Sequence, residues 1–229
     1  MNFKKKSNNN IERELIAVSK IRAINEFGHG FIDGAFEENG TKMVTVRYDR
    51  AGNAVESVSY TSDGSEEDVC LMKYDERGNV TEEHRSRGAE ITLRSYKYDD
   101  DGRILEQRVA SPLGSSKVNY TFDDEALTIL EEWFDSRGMP DESYVSKLDT
   151  NGNIIERFCT RPGGTAYRLY TQKFDELGRV VEKYFFEPSG NIFKKLTFAY
   201  SDDGTLQSAL IYHRPDAPDM MIRYTYERY

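Results

Sequence analysis

The chain has 229 residues, 40 acidic and 31 basic, for a formal net charge of −9. Apolar residues make up 38% and charged residues 31%, with 15 Tyr, 12 Phe and 1 Trp. That aromatic content argues against a disordered chain, two cysteines cannot build a disulfide-framework miniprotein, and the length admits one large domain or two small ones.

At the N-terminus, Lys4-Lys5-Lys6 is followed by Ser-Asn-Asn-Asn with no apolar h-region, and no stretch approaches the ~20 apolar residues of a membrane helix. Residues 1–17 read as a flexible tail and N-terminal cap, in which Ile11 to Ile16 fits a short helical turn. Three lysines carry too little charge for a lipid-surface anchor. Val18 to Ile24 is β-compatible. Phe31 to Phe36 with Glu38-Asn39-Gly40 reads as a degenerate hairpin, since Asn-Gly is a strong hairpin signal.

From Tyr48 onward the chain repeats. An aromatic or Leu, an Asp and, three residues later, a Gly recur in Tyr48-Asp49-Arg50-Ala51-Gly52-Asn53 and in Tyr74-Asp75-Glu76-Arg77-Gly78-Asn79. The same unit starts again at Tyr98, Phe122, Leu148, Phe174 and Tyr200, at intervals of 26, 24, 24, 26, 26 and 26 residues. Ala126 stands where one Gly belongs, Ser201 where one Asp belongs, and Phe134-Asp135-Ser136-Arg137-Gly138 inserts an extra unit. The Asp side chain can accept from amides two or three residues on, and the Gly supplies the positive φ of a bulged type I turn, so these are hairpin tips. Looser turns lie midway: Ser62-Asp63-Gly64, Arg87-Gly88, Pro112-Leu113-Gly114, Arg137-Gly138, Arg161-Pro162-Gly163-Gly164, Pro188-Ser189-Gly190 and Pro215-Asp216. Turns about every 12 residues suit short antiparallel strands.

The incoming strands alternate cleanly, as in Val44/Val46/Tyr48 and Val118/Tyr120/Phe122. Outgoing strands carry apolar residues at both parities, for example Val181/Phe185 and Tyr184/Phe186, which predicts that both faces are partly covered. The expected fold is all-β: 15 to 17 strands in one antiparallel meander of tandem ~25-residue hairpins over residues 18–229, forming a twisted or rolled open sheet. An open sheet leaves edges, so residues 219–229, with Tyr224, Tyr226 and Tyr229, are expected to self-associate edge to edge.

The strings YDERGNVTEEH, YDDDGRILEQR and FDELGRVVEKY, with the lead-in VSKIRAINEFGHGFIDG, resemble the YD repeat of Rhs-type proteins, closest to short forms of bacterial cell envelopes. MORN-like repeat antitoxins are the neighbouring resemblance. The resemblance implies a non-enzymatic binding or scaffold protein, in the envelope or secreted, that recognises a protein or glycan on a curved sheet. The chain is cytoplasmic if Met1 is the native start. An immunity-type protein covering a basic toxin is the alternative, to which the negative charge would lend speed of encounter.

Residue types exclude several chemistries. Lys and Arg are spread one or two per segment, so no nucleic-acid groove is expected. Cys70 and Cys159 lie 89 residues apart without metal-ligand spacing, His29, His84 and His213 have no triad partner, and no cofactor motif occurs. Two sets of candidate binding residues remain. Glu56, Glu82, Glu106, Glu156 and Glu182 each stand four residues beyond a tip Gly. They read either as a carboxylate ladder or as cross-strand ion pairs with the lysines before each tip aromatic. The stripe of Tyr48, Tyr74 and Tyr98, with Trp133 where the repeat breaks, reads either as packing or as a stacking platform.

Overall fold

A computed structural model describes residues 8–214 and 217–229. Residues 1–7 of the expected tail and the turn at Pro215-Asp216 lie outside them. One helix, α1 (Asn8–Val18), precedes the strands β1 (Ile21–Ile32), β2 (Ala35–Phe36), β3 (Thr41–Tyr48), β4 (Ala54–Tyr60), β5 (Glu66–Tyr74), β6 (Val80–Arg87), β7 (Glu90–Tyr98) and β8 (Ile104–Ser111). They continue as β9 (Gly114–Asp123), β10 (Thr128–Phe134), β11 (Pro140–Leu148), β12 (Ile154–Thr160), β13 (Tyr167–Phe174), β14 (Val180–Phe186), β15 (Ile192–Tyr200), β16 (Leu206–Tyr212) and β17 (Met220–Arg228).

Each tip is built as its residues dictate. Asp49 Oδ1 accepts from the amides of Ala51 (2.8 Å) and Asn53 (2.9 Å), two and four residues on, while Asn53 Nδ2 donates to Asp49 Oδ2 (2.9 Å). Gly52 takes φ +82° and its amide donates to the Asp49 carbonyl. The same clamp recurs at Asp75, Asp99, Asp149 and Asp175. At the Ser201 tip the carboxylate role passes to Asp203, which accepts from the Thr205 amide. Around Ala126, Leu127 takes the left-handed conformation (φ 53°) in the Gly's stead. The 24-residue intervals have a plain cause: Gly88-Ala89 and Pro112-Leu113 are two-residue turns, where other far-end turns use longer loops.

A bulge follows nearly every tip. Tyr48 faces Ala54 and Arg47 faces Glu56, so Val55 is an extra residue. Thr81, Leu105, Ile155, Val181 and Gln207 hold the same place. These bulges explain the apolar doublets of the outgoing strands, and on β14 both faces are partly covered, as expected. Val181 is the inserted residue, Phe185 lies on one face, and Tyr184 and Phe186 lie on the other beneath the cations of Lys173, Lys195 and Arg168. The predicted Asn39-Gly40 turn is displaced. The β1–β2 hairpin turns at Asp33-Gly34, both at positive φ, as a type I′ turn requires.

The sheet closes. Asn25 of β1 pairs with Thr45 of β3 on one side and with Thr225 of β17 on the other. Among the described residues β2 pairs only with β1, and sixteen strands form the barrel. The open sheet and the uncovered strand at 219–229 are therefore corrected: repeated bulges add twist and curvature until the first and last strands meet, and the edge vanishes. The antiparallel meander itself stands as expected.

The barrel is hollow. The chain's accessible surface is 14635 Å², nearly 40% more than the ~10,600 Å² of a compact chain of 26.4 kDa. Helix α1 sits in the mouth at the tip rim. Arg13 Nη1 donates to the Gly78 carbonyl (3.3 Å), and Leu15 reaches Gly204 across the rim. A Cβ at Gly52 would stand 2.1 Å from the Arg13 carbonyl oxygen, whereas Gly152, at the same φ of +82°, faces open space. Gly152→Ala should cost about 1–2 kcal/mol for its left-handed backbone, and Gly52→Ala should cost more because it also unseats α1. Urea unfolding of both variants checks this; equal losses would mean that α1 does not rest on the tips.

Candidate functional site

The wall has two chemically distinct faces. The face that meets α1 carries Tyr48, Tyr74 and Tyr98, which with Glu12, Arg13 and Ile16 line a cavity of about 560 Å³ at the mouth. That face is the lumen. Residues of opposite parity, including all five candidate glutamates, point outward.

The tip tyrosines brace the wall. Tyr74 donates its hydroxyl to the Ala54 carbonyl (2.6 Å), Tyr98 to Val80 (2.8 Å) and Tyr200 to Val180 (2.8 Å), in each case two residues beyond the preceding tip Gly. Phe174 has no hydroxyl to give. Gln172, one turn of the pleat earlier on the same face, donates to the Ile154 carbonyl in its place (2.5 Å). Burial pushes the phenols of Tyr98 and Tyr200 up to about 12, so they remain donors throughout the physiological range. Trp133 also faces the lumen, edge-on to Tyr144 with ring centroids 6.3 Å apart, and its buried Nε1 has no hydrogen-bond partner.

The glutamates are held in ion pairs outside. Glu82 meets Lys73 (2.7 Å), Glu106 meets Lys97 (3.1 Å), Glu156 meets Lys147 (3.1 Å), Glu182 meets Lys173 (2.8 Å), and Glu56 meets Arg47. Further cations join: on Glu106, Arg108 from the same strand and Lys117 from the next, and from the next strand Arg168 on Glu156 and Lys195 on Glu182. Hydrogen bonds from Arg108 and Lys97 hold the Glu106 carboxyl down at about 2. Exposed pairs of this kind contribute little each, and no glutamate is left free for a second carboxylate partner.

The lumen carries charge that sequence reading did not single out. Arg85 grips Asp68 (Nε–Oδ2 2.7 Å), Arg94 meets Glu83 (3.2 Å), and Arg157 meets Glu131 twice (2.8 and 2.9 Å). Asp68, Glu83, Arg85 and Arg94 border a second cavity of about 280 Å³ with the half-buried Cys70. Cys70 and the buried Cys159 are free thiols. On one side of the lumen Glu12 and Glu26 stand among Tyr48, Tyr200, Tyr224 and Tyr226, and burial raises both carboxyls above their ordinary value. Opposite parity from the ion-paired glutamates was the available signal, hidden by the bulges that break the period of two.

The histidines are scattered. His29 Nδ1 lies 2.8 Å from the Glu37 carbonyl, His84 beside Glu82 and His213 beside Asp219. Among the described residues no helix is long and apolar enough to cross a membrane.

Comparison with solved structures identifies the architecture. A porin-like protein from Bacteroides uniformis aligns over 90% of this chain and 98% of its own, with TM-score 0.56 and 10% identity. The fold is that of a porin-like β-barrel. A porin-like protein from Bacteroides vulgatus aligns over 69% of this chain and 94% of its own at TM-score 0.44 and 11% identity. No family model matches the sequence, and no curated protein matches it. The resemblance to Rhs-type YD repeats and MORN-like antitoxins is overturned: the similar barrel and the β1–β17 closure replace the rolled open sheet. The Asp-Gly tips that suggested it are a local turn solution, which a barrel uses equally well.

Glu26 gives a pH test. Its carboxyl is raised by burial, so its protonation favours the folded state fully below the unfolded value near 4.5, and that gain is lost as pH rises through the folded value. Glu26→Gln should therefore be more stable than the wild type at pH 7 and converge with it below pH 4.5. Thermal melts across this range check the sign; a variant less stable at pH 7 would contradict the burial.

Proposed function

We propose that the chain is a non-enzymatic binding barrel of the bacterial cell envelope, which stands in water and receives its ligand in the lumen. The observation that carries this reading is the sorting of side chains across the wall. A barrel in the outer membrane presents an apolar band ~25 Å tall to lipid. The strands here mostly run seven to ten residues, and at a tilt of ~40° such strands stand only ~20 Å high.

The outer face is also unsuited to lipid. It carries Arg47, Lys73, Lys97, Arg108, Lys117, Lys147, Arg168, Lys173 and Lys195 with their glutamate partners. Each such cation at a bilayer midplane costs about 2–4 kcal/mol. The lumen, by contrast, holds tyrosines and tryptophan beside charged groups, the mixture that takes up amphipathic ligands such as sugars. The porin-like architecture favours an envelope setting. The polarity of the wall favours an aqueous part of it over a pore.

The test is partition. The protein purified without detergent should stay in the aqueous fraction when floated with phospholipid vesicles and should open no conductance in a planar bilayer. Co-flotation with vesicles and stepwise conductance would replace this reading with a membrane pore.

A further inference from the structure

The wall from β11 to β15 alternates rings and cations on its lumenal face. Arg157 stacks over Tyr144 (4.6 Å to the ring centroid) and lies directly across from Tyr170. Lys183 stands over Tyr170 (3.9 Å) and over Phe185 (5.2 Å), which itself faces Tyr170 across the strands with centroids 6.1 Å apart. Lys194, on the neighbouring strand, stands over the same Phe185 ring (5.7 Å). The row lies along the barrel wall beyond the reach of the α1 cavity at the mouth.

The charges in this row do not balance. Arg157 is neutralised by Glu131. Glu142 is occupied by Arg161 and the Tyr144 hydroxyl. Lys183 and Lys194 meet no carboxylate among the described residues, and aromatic faces are their only neighbours of opposite potential. Every glutamate nearby on the outer face is already committed to outer lysines. Two half-buried ammonium groups sharing one ring repel each other and attract anions. The position is costly for Lys183, whose ammonium is lowered from its ordinary value by burial first and by Arg157 second. A polar protein surface that merely needed solubility would place such lysines outside, with Lys73, Lys97, Lys147 and Lys173.

We infer that this row is a binding site for an acidic oligosaccharide, whose carboxylates sit at Lys183 and Lys194 and whose sugar faces stack on Tyr170 and Phe185. Cations held over aromatic rings keep part of their charge available for a second partner, and rings spaced by strand pairing offer flat apolar surfaces on either side of it. The inference rests on the lumen being open to water, as proposed above. The vesicle measurement tests that premise without any ligand, so the two can fail separately.

The experiment is isothermal titration of tetragalacturonate, with neutral maltotetraose as control, in 100 mM salt. The wild type should bind the acid at least tenfold more tightly than the neutral sugar. Lys183→Met and Lys194→Met should each weaken the acid tenfold or more, and Lys183→Arg should retain most of the affinity. Lys173→Met, on the outer face, should leave it unchanged. Circular dichroism and melting of each variant establish that the barrel is intact, and the arginine variant reports on charge even if Met at position 183 unfolds the wall. No saturable binding of the acid, equal affinity for the two sugars, or a loss in Lys173→Met as large as in Lys183→Met would overturn the assignment.

Discussion

The structure depends on one repeated local device, an aspartate-clamped glycine turn followed three residues later by a bulge. Asp49, Asp75, Asp99, Asp149 and Asp175 each satisfy the amides of their own tip. The residue that follows, Val55 or its equivalent, is then forced out of register. One such bulge bends a strand pair slightly. Repeated round the tip rim, with further bulges toward the other rim, it curls sixteen strands until β1 finds β17. Without closure, the lumen and the sorting of its side chains would not exist.

A hollow barrel cannot rely on a dense core. Among the described residues only a few apolar side chains, such as Ile21, Val58, Val118 and Cys159, are almost wholly buried. The wall is held by its ladders, by tyrosine hydroxyls reaching the previous hairpin, and by ion pairs on the outside. The hydroxyls matter because a buried carbonyl left unpaired costs about 1–3 kcal/mol. This explains why Gln172 takes over where Phe174 has no hydroxyl to donate. The two faces differ in what they pair: outside, the glutamates meet lysines and arginines across strands, and in the lumen Arg85, Arg94 and Arg157 meet carboxylates while Lys183 and Lys194, among the described residues, meet only rings.

Much of the fold was legible in the sequence because turns are local. Tyr48-Asp49 through Gly52 dictates its own hydrogen bonds, and the spacing of such units counts the strands. Closure was not legible, because it depends on the sum of many small bends and on whether Asn25 meets Thr225, two residues 200 positions apart. The short N-terminal turn extended to a three-turn helix because Arg13 and Ile16 find seats in the barrel mouth, which exists only after closure. Glu56, Glu82 and their equivalents were visible for the same reason as the tips: their distance from Gly is fixed. Lys183 and Lys194 were invisible because Val181 and Phe193, each an inserted residue, scramble the alternation that would have put them on one face.

The closure of the barrel is tested most directly by a covalent bond across its seam. In a chain with Cys70 and Cys159 replaced by Ala, cysteines at positions 25 and 225, which face each other in the β1–β17 pair, should oxidise to a crosslink within one chain. The product should run as a compact monomer and unfold at higher denaturant than its reduced form. Crosslinks formed only between chains, or none under conditions that oxidise exposed thiols, would contradict a closed barrel.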